Sequence, residues 1–210
     1  MGSNTVQWQD LGEGALTLWP DWLTAAECQR LWAGLQALPW RQYSLRLFGR
    51  EVRQPRLTAW ASDADYRYSG LILPATPWPD ELARLRDRVQ ATTGQRFNSV
   101  LLNYYRDGQD CIGWHSDDEV SLGPQPAIAS LSLGATRRFL LRRRTDHGER
   151  HELRLNAGDL LLMGPGIQEA WQHALPRQRQ LTQERINLTF RLLHPDRYNV
   201  ATIAPIEESS

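Results

Sequence analysis

Residues 103–119 read NYYRDGQDCIGWHSDDE, and this turn-rich stretch contains an H-x-D pair, His115 and Asp117. Residues two apart in a β-strand lie on one face, so both side chains can reach one ion. One imidazole and one carboxylate leave a divalent metal short of ligands, so a third ligand must come from elsewhere. Two histidines and one carboxylate on one face of an octahedron are typical of non-haem Fe(II) oxygenases. An isolated H-x-D pair is common in proteins without a metal, so a metal site can be predicted only if the rest of the chain supports it.

Short β-forming segments, several of them separated by Gly, Pro, Asn or Asp, follow one another through the second half of the chain. The segments predicted as strands are residues 97–105, 127–133, 136–143, 150–155, 159–163, 169–175 and 185–193. Strands this short and this closely spaced favour a sandwich or jelly roll over βαβ units. The predicted fold class is therefore mainly β with flanking helices (α+β).

Two helices are predicted in the first half of the chain, and we expect both to pack outside the jelly roll. The first begins at a capping box, Thr24 to Glu27, and is stopped by Pro39. The second runs over residues 79–93 and ends at Gly94. We divide the chain into residues 1–95, with the helices, a hairpin and a loop, a jelly-roll core at 96–196, and a tail at 197–210.

Three other segments of the first half have weaker patterns. Residues 1–20 are predicted to be an entry segment that lies on the domain. Residues 40–55 alternate polar and apolar side chains, which predicts a hairpin with Phe48 at its tip, either buried by a neighbour or kept for a partner. Residues 56–78 are predicted to be a long, irregular connection, and loops of this length are commonly functional.

The composition is that of an ordinary soluble globular protein, with 41% hydrophobic and 23% charged residues among 210. No apolar run approaches the ~20 residues that a membrane helix needs. The first ten residues lack the pattern of a secretory signal, and two cysteines are too few for a disulfide framework. We therefore expect a cytoplasmic protein with no membrane partner, associated with the nucleoid if bacterial and nuclear if eukaryotic. We also expect a monomer.

The net charge is zero, and all 24 basic residues are arginine. A zero net charge argues against a surface that binds polyanions throughout. The arginines are nevertheless concentrated between Arg137 and Arg154, where seven of them accompany three acidic residues. This segment is either a surface that contacts phosphates or a solvated, arginine-rich hairpin.

The third metal ligand must come from the remaining histidines. His173 lies in a strand-like segment after Gly164-Pro165-Gly166, 56 residues beyond Asp117. That separation fits a jelly roll, in which a late strand returns beside an early one. The other candidates, His147, His151 and His194, lie in a turn or near strand ends, so the pattern favours His173.

Residues 185–191 read RINLTFR, and their two arginines are six apart, so both point to the same face of one strand. Two guanidinium groups on an inward face are costly unless anions meet them. A dicarboxylate ligand can pair with one arginine, and an acidic side chain with the other. The alternative is that both lie on an exposed face of the sheet.

N-x-Y, H-x-D, a distal histidine and R-x-N-x-T-x-R occur here in that order, and this combination is highly specific. The chain resembles the AlkB family of Fe(II)- and 2-oxoglutarate-dependent dioxygenases, which are nucleic-acid dealkylases built on a double-stranded β-helix, a jelly roll. The resemblance covers residues 47–193 and is strongest over 103–119, 126–139 and 185–191.

The resemblance implies roles for the residues that match the family's motifs. His115, Asp117 and His173 match the metal ligands, and together with Arg191 they form the expected catalytic set. Asn103, Tyr105, Arg185 and Arg191 match the residues that bind 2-oxoglutarate, with Arg185 on its distal carboxylate. The implied cofactors are Fe(II), 2-oxoglutarate as co-substrate, and O2.

The animal enzymes that repair duplex DNA are the most similar part of the family. They carry an apolar finger residue before a glycine, which Phe48 resembles, and a substrate loop that residues 66–70 resemble. The residues expected to contact substrate are Phe48, Arg56, Tyr66, Tyr68, Ser69, Asp118 and Glu119. Those enzymes use lysines around DNA, whereas this chain has none.

The resemblance implies oxidative demethylation of bases such as N1-methyladenine and N3-methylcytosine in DNA, with release of formaldehyde. The expected partner is alkylated DNA, single-stranded or duplex. The alternatives are the same chemistry on RNA or on a substrate that is not a nucleic acid, and a jelly roll that binds a metal or an anion without turnover.

Overall fold

The computed structural model describes residues 5–47, 50–68 and 71–194, with the side chains of 45–51 and 66–73 outside the description. Within these residues the strands are β1 (Gln7–Asp10), β2 (Ala15–Trp19), β3 (Ser44–Leu47), β4 (Arg50–Arg53), β5 (Leu57–Ser62), β6 (Tyr66–Tyr68), β7 (Leu71–Leu73), β8 (Ser99–Tyr105), β9 (Ile112–His115), β10 (Ile128–Gly134), β11 (Arg137–Arg143), β12 (Arg150–Leu155), β13 (Leu160–Met163), β14 (Trp171–Leu175) and β15 (Arg185–Arg191). The helices are α1 (Ala25–Gln36), α2 (Asp80–Thr93) and α3 (Ile167–Ala170), with a 3-10 turn at Val120–Leu122.

Two antiparallel sheets form the body of the molecule. The large sheet has the strand order β1-β2-β13-β10-β15-β8-β5, and the small sheet has the order β12-β11-β14-β9. Two separate hairpins, β3-β4 and β6-β7, belong to neither sheet. The predicted mainly β fold with a jelly-roll core is confirmed.

The two predicted helices are confirmed, together with the signals that begin and end them. The hydroxyl of Thr24 accepts a hydrogen bond from the Glu27 amide (3.3 Å), and the Glu27 carboxylate accepts one from the Thr24 amide (2.8 Å). Helix α2 ends at Gly94, whose φ of 68° lies in the left-handed region that favours glycine. Each helix buries three side chains, which are Cys28, Leu31 and Leu35 of α1 and Leu82, Leu85 and Val89 of α2.

The large sheet lies between these helices and the small sheet. On β15, Ile186, Leu188 and Phe190 face the helices and join their core cluster. The alternate residues of β15 face the space between the two sheets, as the period of two requires. Pairing with β8 aligns Arg185 with Tyr105 and Asn187 with Asn103. A polar row therefore runs through an otherwise apolar interior.

Several predicted boundaries are wrong. Residues 1–20 include a hairpin, β1-β2, that extends the large sheet through β13, and residues 56–78 contain β5, β6 and β7. Residues 167–170 form the short helix α3, so β14 begins at Trp171. Strand β9 ends at His115, so Asp117 lies beyond the strand.

The predicted hairpin within residues 40–55 is confirmed by the pairing of β3 with β4, although Phe48 itself lies outside the described residues.

The division at residue 95 remains a prediction. Strands β1, β2 and β5 precede it and share the large sheet with β8, β10, β13 and β15. None of the described helices is both long enough and apolar enough to span a bilayer.

Candidate metal and co-substrate site

Three side chains meet where the two sheets face each other. His115 is the last residue of β9 and lies opposite His173 of β14, with the two ring centroids 4.2 Å apart. Asp117 follows two residues after His115, and one ligand atom from each of the three residues lies within 4.8 Å of the others. The structure therefore brings together the three residues that the sequence pattern favoured.

The Asp117 carboxylate is held by Arg191, which approaches from the large sheet. Its Oδ2 accepts hydrogen bonds from Nη2 (2.8 Å) and Nε (3.2 Å) of Arg191. The other oxygen, Oδ1, lies 3.8 Å from Nε2 of His115. Burial alone would raise the pKa of Asp117, but Arg191 and the two neighbouring histidines together outweigh burial and lower the pKa. Asp117 is therefore an anion with one oxygen facing the histidines.

Both histidines are held in the neutral form. Burial lowers the pKa of His115, and burial with the neighbouring His115 lowers the pKa of His173 to about 3. The carbonyl of Gly113 lies 2.8 Å from Nδ1 of His115 and can only accept, so Nδ1 carries the proton. The lone pair of Nε2 is then free to bind a metal, and Nδ1 of His173 is buried without a protein partner. Two neutral imidazoles and one carboxylate fit Fe(II).

Arg185 is a buried cation at the opposite end of the same row. Its Nη2 donates to the hydroxyl of Ser132 (2.9 Å), and its guanidinium lies 5.5 Å from the ring centre of Tyr105. Its Nε is buried without a partner, and burial lowers the pKa of Arg185 to about 10. No carboxylate among the described residues forms an ion pair with it. An anionic ligand that reaches this position would relieve that cost.

The space between Arg185 and the three ligand residues is a pocket with polar and apolar walls. Asn103 lines it and accepts a hydrogen bond from Nε of the buried Arg56 (2.8 Å). The apolar part of the wall is formed by Leu101, Ile112, Phe139, Met163 and Leu175. The arrangement places a cation and a possible metal site in one pocket, which suits a small dicarboxylate that bridges the two.

Arg137 has a role that the sequence did not reveal. Both interpretations of the arginine-rich segment predict an exposed side chain here, but Arg137 is completely buried. The guanidinium donates to the backbone carbonyls of Asp107 (3.2 Å), Asp110 (2.9 Å) and Pro176 (2.8 Å). It also lies 5.6 Å from the ring centre of Tyr105. Arg137 thus fixes two loops behind the pocket wall.

Most other arginines of residues 137–154 have protein partners. Arg138 pairs with Glu152 (2.8 Å), Arg144 with Asp118 (2.9 Å), and Arg143 with Glu13 and Glu149. Arg142 donates to Gln172 and stacks on Trp114 at 4.4 Å. The alternative of a solvated hairpin with local ion pairs fits these contacts better than an open phosphate-binding surface.

The residues expected to contact substrate are only partly described. Asp118 is exposed and paired with Arg144, and Glu119 follows it. Arg56 is buried and donates from Nε to Asn103, and its contact with substrate stays a prediction. Tyr66 and Tyr68 belong to β6, but their side chains lie outside the description, as do Phe48 and Ser69 entirely.

Comparison with known proteins identifies the family. Residues 15–191 match the 2OG-Fe(II) oxygenase superfamily. The chain belongs to this superfamily. Members of the 2OG-Fe(II) oxygenase superfamily require Fe(II), 2-oxoglutarate and O2, which agrees with the donor set and the buried cation described above.

Curated relatives narrow the comparison within the 2OG-Fe(II) oxygenase superfamily. The chain is 42% identical to the rat alpha-ketoglutarate-dependent dioxygenase alkB homolog 3, over 84% of this chain and 60% of the rat protein. It is 43% identical to the mouse DNA oxidative demethylase ALKBH2, over 72% of this chain and 67% of the mouse protein. The chain thus spans about three fifths of the length of the alkB homolog 3 proteins that it matches.

A solved structure agrees with the fold. The structure of OsALKBH1 covers 89% of this chain with a TM-score of 0.65 and 19% sequence identity. At that identity the likeness concerns the fold alone. It places this member of the 2OG-Fe(II) oxygenase superfamily among chains with the same arrangement of two facing sheets.

Proposed function

We propose that this chain oxidatively demethylates N-alkylated bases of DNA, of the N1-methyladenine and N3-methylcytosine type. The observation that carries the proposal is one pocket that contains both a His-Asp-His ligand set and a buried arginine without a carboxylate partner. The names of the relatives, a DNA oxidative demethylase among them, support DNA as the substrate.

In this proposal His115, Asp117 and His173 hold Fe(II), and Arg185 holds the distal carboxylate of 2-oxoglutarate. Fe(II) with 2-oxoglutarate and O2 supplies the oxidation that converts a base N-methyl to a hydroxymethyl, with succinate and CO2 as co-products. The hydroxymethyl base then releases formaldehyde and leaves the base restored. The protein orients the reactants and excludes water.

Each side chain of the pocket has a separate task. Arg191 holds Oδ2 of Asp117, which leaves Oδ1 for the metal. Ser132 fixes the guanidinium of Arg185, and Asn103, itself fixed by Arg56, meets a polar atom of the co-substrate. The apolar wall at Leu101 and Phe139 keeps the reacting methyl away from bulk water.

The substrate base must leave its stack, because its methyl cannot reach a buried metal from inside a duplex. We propose that residues 1–95 provide this recognition through the β3-β4 and β6-β7 hairpins. Phe48 would fill the gap that the base leaves. RNA remains a second substrate to be compared.

The test is a direct assay of the reaction. The protein is loaded anaerobically with Fe(II) and then incubated in air with 2-oxoglutarate and oligonucleotides that contain N1-methyladenine. Mass spectrometry follows the loss of one methylene unit in single-stranded DNA, duplex DNA and RNA. We expect demethylation with DNA. Succinate formation without demethylation of any of the three would reject the substrate and keep the oxygenase.

A further inference from the structure

Gln168 is a completely buried polar side chain next to the ligand residues. It belongs to α3, the short helix that leads into β14 and His173. Its Oε1 accepts a hydrogen bond from the backbone amide of Asp117 (2.9 Å). Its Nε2 donates to the thioether sulfur of Met163 at 3.5 Å. Both ends of the buried amide therefore have partners.

The bond to Asp117 replaces one that the sheet does not provide. Strand β9 ends at His115, so the amide of Asp117 lies beyond the ladder that pairs β9 with β14. A buried amide without a partner costs free energy comparable to a lost hydrogen bond. Gln168 supplies the acceptor at the point where the ladder stops.

A second bond ties the same two segments together. The hydroxyl of Ser116 donates to the carbonyl of Trp171 (2.9 Å), at the start of β14. Residues 115–117 are thus fastened to residues 167–173 at two successive positions, and each of these segments carries ligands. The relative placement of Asp117 and His173 depends on this connection.

The two parts of Asp117 are held from different sides. Arg191 on the large sheet holds the carboxylate, whereas Gln168 holds the backbone. If only its carboxylate were held, the Asp117 side chain could still rotate about Arg191 whenever its backbone shifted. Fixing both ends leaves one direction for Oδ1, toward His115.

We propose that Gln168 is a positioning residue for the metal site: its Oε1 fixes the Asp117 backbone and thereby aims the Asp117 carboxylate at the metal. The acceptor end is the part that matters, because a thioether is a weak acceptor and adds little at the donor end. A glutamine kept only to fill space would be replaceable by an apolar side chain of the same shape. This inference rests on the proposed assignment of His115, Asp117 and His173 as metal ligands.

The test is a titration of the metal-free protein with Co(II), whose visible absorption reports ligand number and geometry. Gln168→Met keeps the shape and removes the acceptor. We expect it to weaken Co(II) binding by about 10- to 100-fold and to change the shape of the Co(II) spectrum, as for other residues that orient a metal ligand. Gln168→Glu retains an acceptor oxygen and is expected to stay within about threefold of the wild-type affinity.

Gln90 offers a matched control. Gln90 lies on helix α2, and its Oε1 accepts a hydrogen bond from the backbone amide of Phe97 (2.8 Å). Gln90→Met therefore removes the same kind of hydrogen bond at a position away from the metal site. We expect a similar loss of melting temperature with unchanged Co(II) affinity and spectrum. Equal losses of affinity in Gln90→Met and Gln168→Met would mean that general destabilisation is the cause, and would overturn the inference.

Asp117→Ala separates this inference from the site assignment. If Asp117→Ala binds Co(II) as the wild type does, the proposed ligands are wrong. If Asp117→Ala loses Co(II) but Gln168→Met binds with wild-type affinity and spectrum, only the role of Gln168 is wrong. If circular dichroism shows that Gln168→Met does not fold, Gln168→Glu provides the test. A ten-fold or greater loss of Co(II) affinity in Gln168→Glu would contradict the inference.

Discussion

Arg185 is costly to the folded protein unless a ligand meets it. The residue is 2% exposed, its guanidinium donates to a serine hydroxyl, and burial lowers its pKa. Groups that serve function commonly carry such a cost in the unliganded state. Replacing such a residue should weaken binding of the ligand without lowering the stability of the unliganded protein.

We predict that Arg185→Gln raises the KM for 2-oxoglutarate by about 10- to 100-fold, the loss expected for a charge-assisted hydrogen bond. Without co-substrate the melting temperature should stay the same or rise, because the uncompensated charge is gone. Steady-state kinetics and thermal melts measure the two effects. Arg138→Gln, an exposed arginine paired with Glu152, is the control and should leave KM unchanged.

His115→Ala should abolish turnover and leave the fold intact. The side chain is partly exposed at the end of β9, so its loss removes a ligand without opening the core. Succinate production measures the first effect and far-UV circular dichroism the second. His147→Ala, at an exposed hairpin turn, should behave as the wild type. Full succinate production by His115→Ala would remove the iron assignment.

Asp110 gives a pH-dependent contribution to stability. Burial alone would raise its pKa, but hydrogen bonds from the side chain and backbone of Arg106 lower it below the ordinary value. A carboxyl whose pKa is depressed by folding stabilises the protein above its unfolded pKa, about 3.9, and loses this effect as pH falls through the folded pKa.

Asp110→Asn should therefore lower the free energy of unfolding at pH 7 by about 1–3 kcal/mol. The difference between variant and wild type should shrink as the pH falls below about 4. Urea unfolding at several pH values measures the difference. A gap that stays constant down to pH 3 would show that the ion pair is not its source.

At the scale of elements, the turn that leads into α3 is a tightly packed corner. Gly166 has a φ of 87°, and a Cβ atom there would collide with the backbone carbonyl of Glu13. The turn thus holds the β1-β2 hairpin against the segment that carries Gln168 and His173.

Gly166→Ala should destabilise the protein by more than about 2 kcal/mol, since backbone strain and a backbone collision add. Gly94→Ala is the matched control, because Gly94 has the same left-handed backbone (φ 68°) and open space around it. It should cost only the strain, about 1 kcal/mol. Equal losses of melting temperature in the two variants would contradict the collision.

The sequence predicted those elements whose signals are local. The capping box at Thr24, the glycine after α2 and the alternation of β15 each contain their own information, and each was confirmed. Strands β2 and β5 were missed because each pairs with a strand that is distant in the chain, β13 for β2 and β8 for β5. The sequence of a short strand contains little information about a pairing partner that is distant in the chain.

The same distinction applies to the site. His115, Asp117 and Arg185 stand in spaced motifs, so their chemistry could be predicted. Arg137 and Gln168 could not, because each acts through backbone groups, and any residue offers those. An arginine in a segment with six others and a glutamine before a strand carry no pattern that separates a buried role from a solvated one.

At the scale of the whole molecule, the zero net charge and the pairing of Arg138, Arg143 and Arg144 with acidic side chains weaken the attraction for a nucleic-acid backbone. Recognition of a duplex must then depend more on contacts with the extruded base and with the gap it leaves. The hairpin β3-β4, which stands apart from both sheets, is the element proposed for this purpose.

We predict that Phe48→Ala lowers the demethylation rate on duplex DNA several-fold and leaves the rate on single-stranded DNA unchanged. A duplex leaves a gap in the stack that an apolar side chain can fill, and a single strand does not. Val52→Ala, an exposed residue of the same hairpin, is the control. Equal rates for Phe48→Ala and wild type on both substrates would reject the wedge.

The alignment of β15 with β8 decides which side chains enter the pocket and which enter the core. Because neighbouring residues of a strand face opposite ways, removal of one residue from β15 would exchange the two sets beyond the gap. Polar residues such as Arg191 would then face the helices, and apolar residues such as Phe190 would face the pocket. Single substitutions in β15 change one side chain at a time, whereas deletion of one residue would disrupt the pocket and the core together. We therefore expect the length of β15 to vary far less among related proteins than its amino-acid composition.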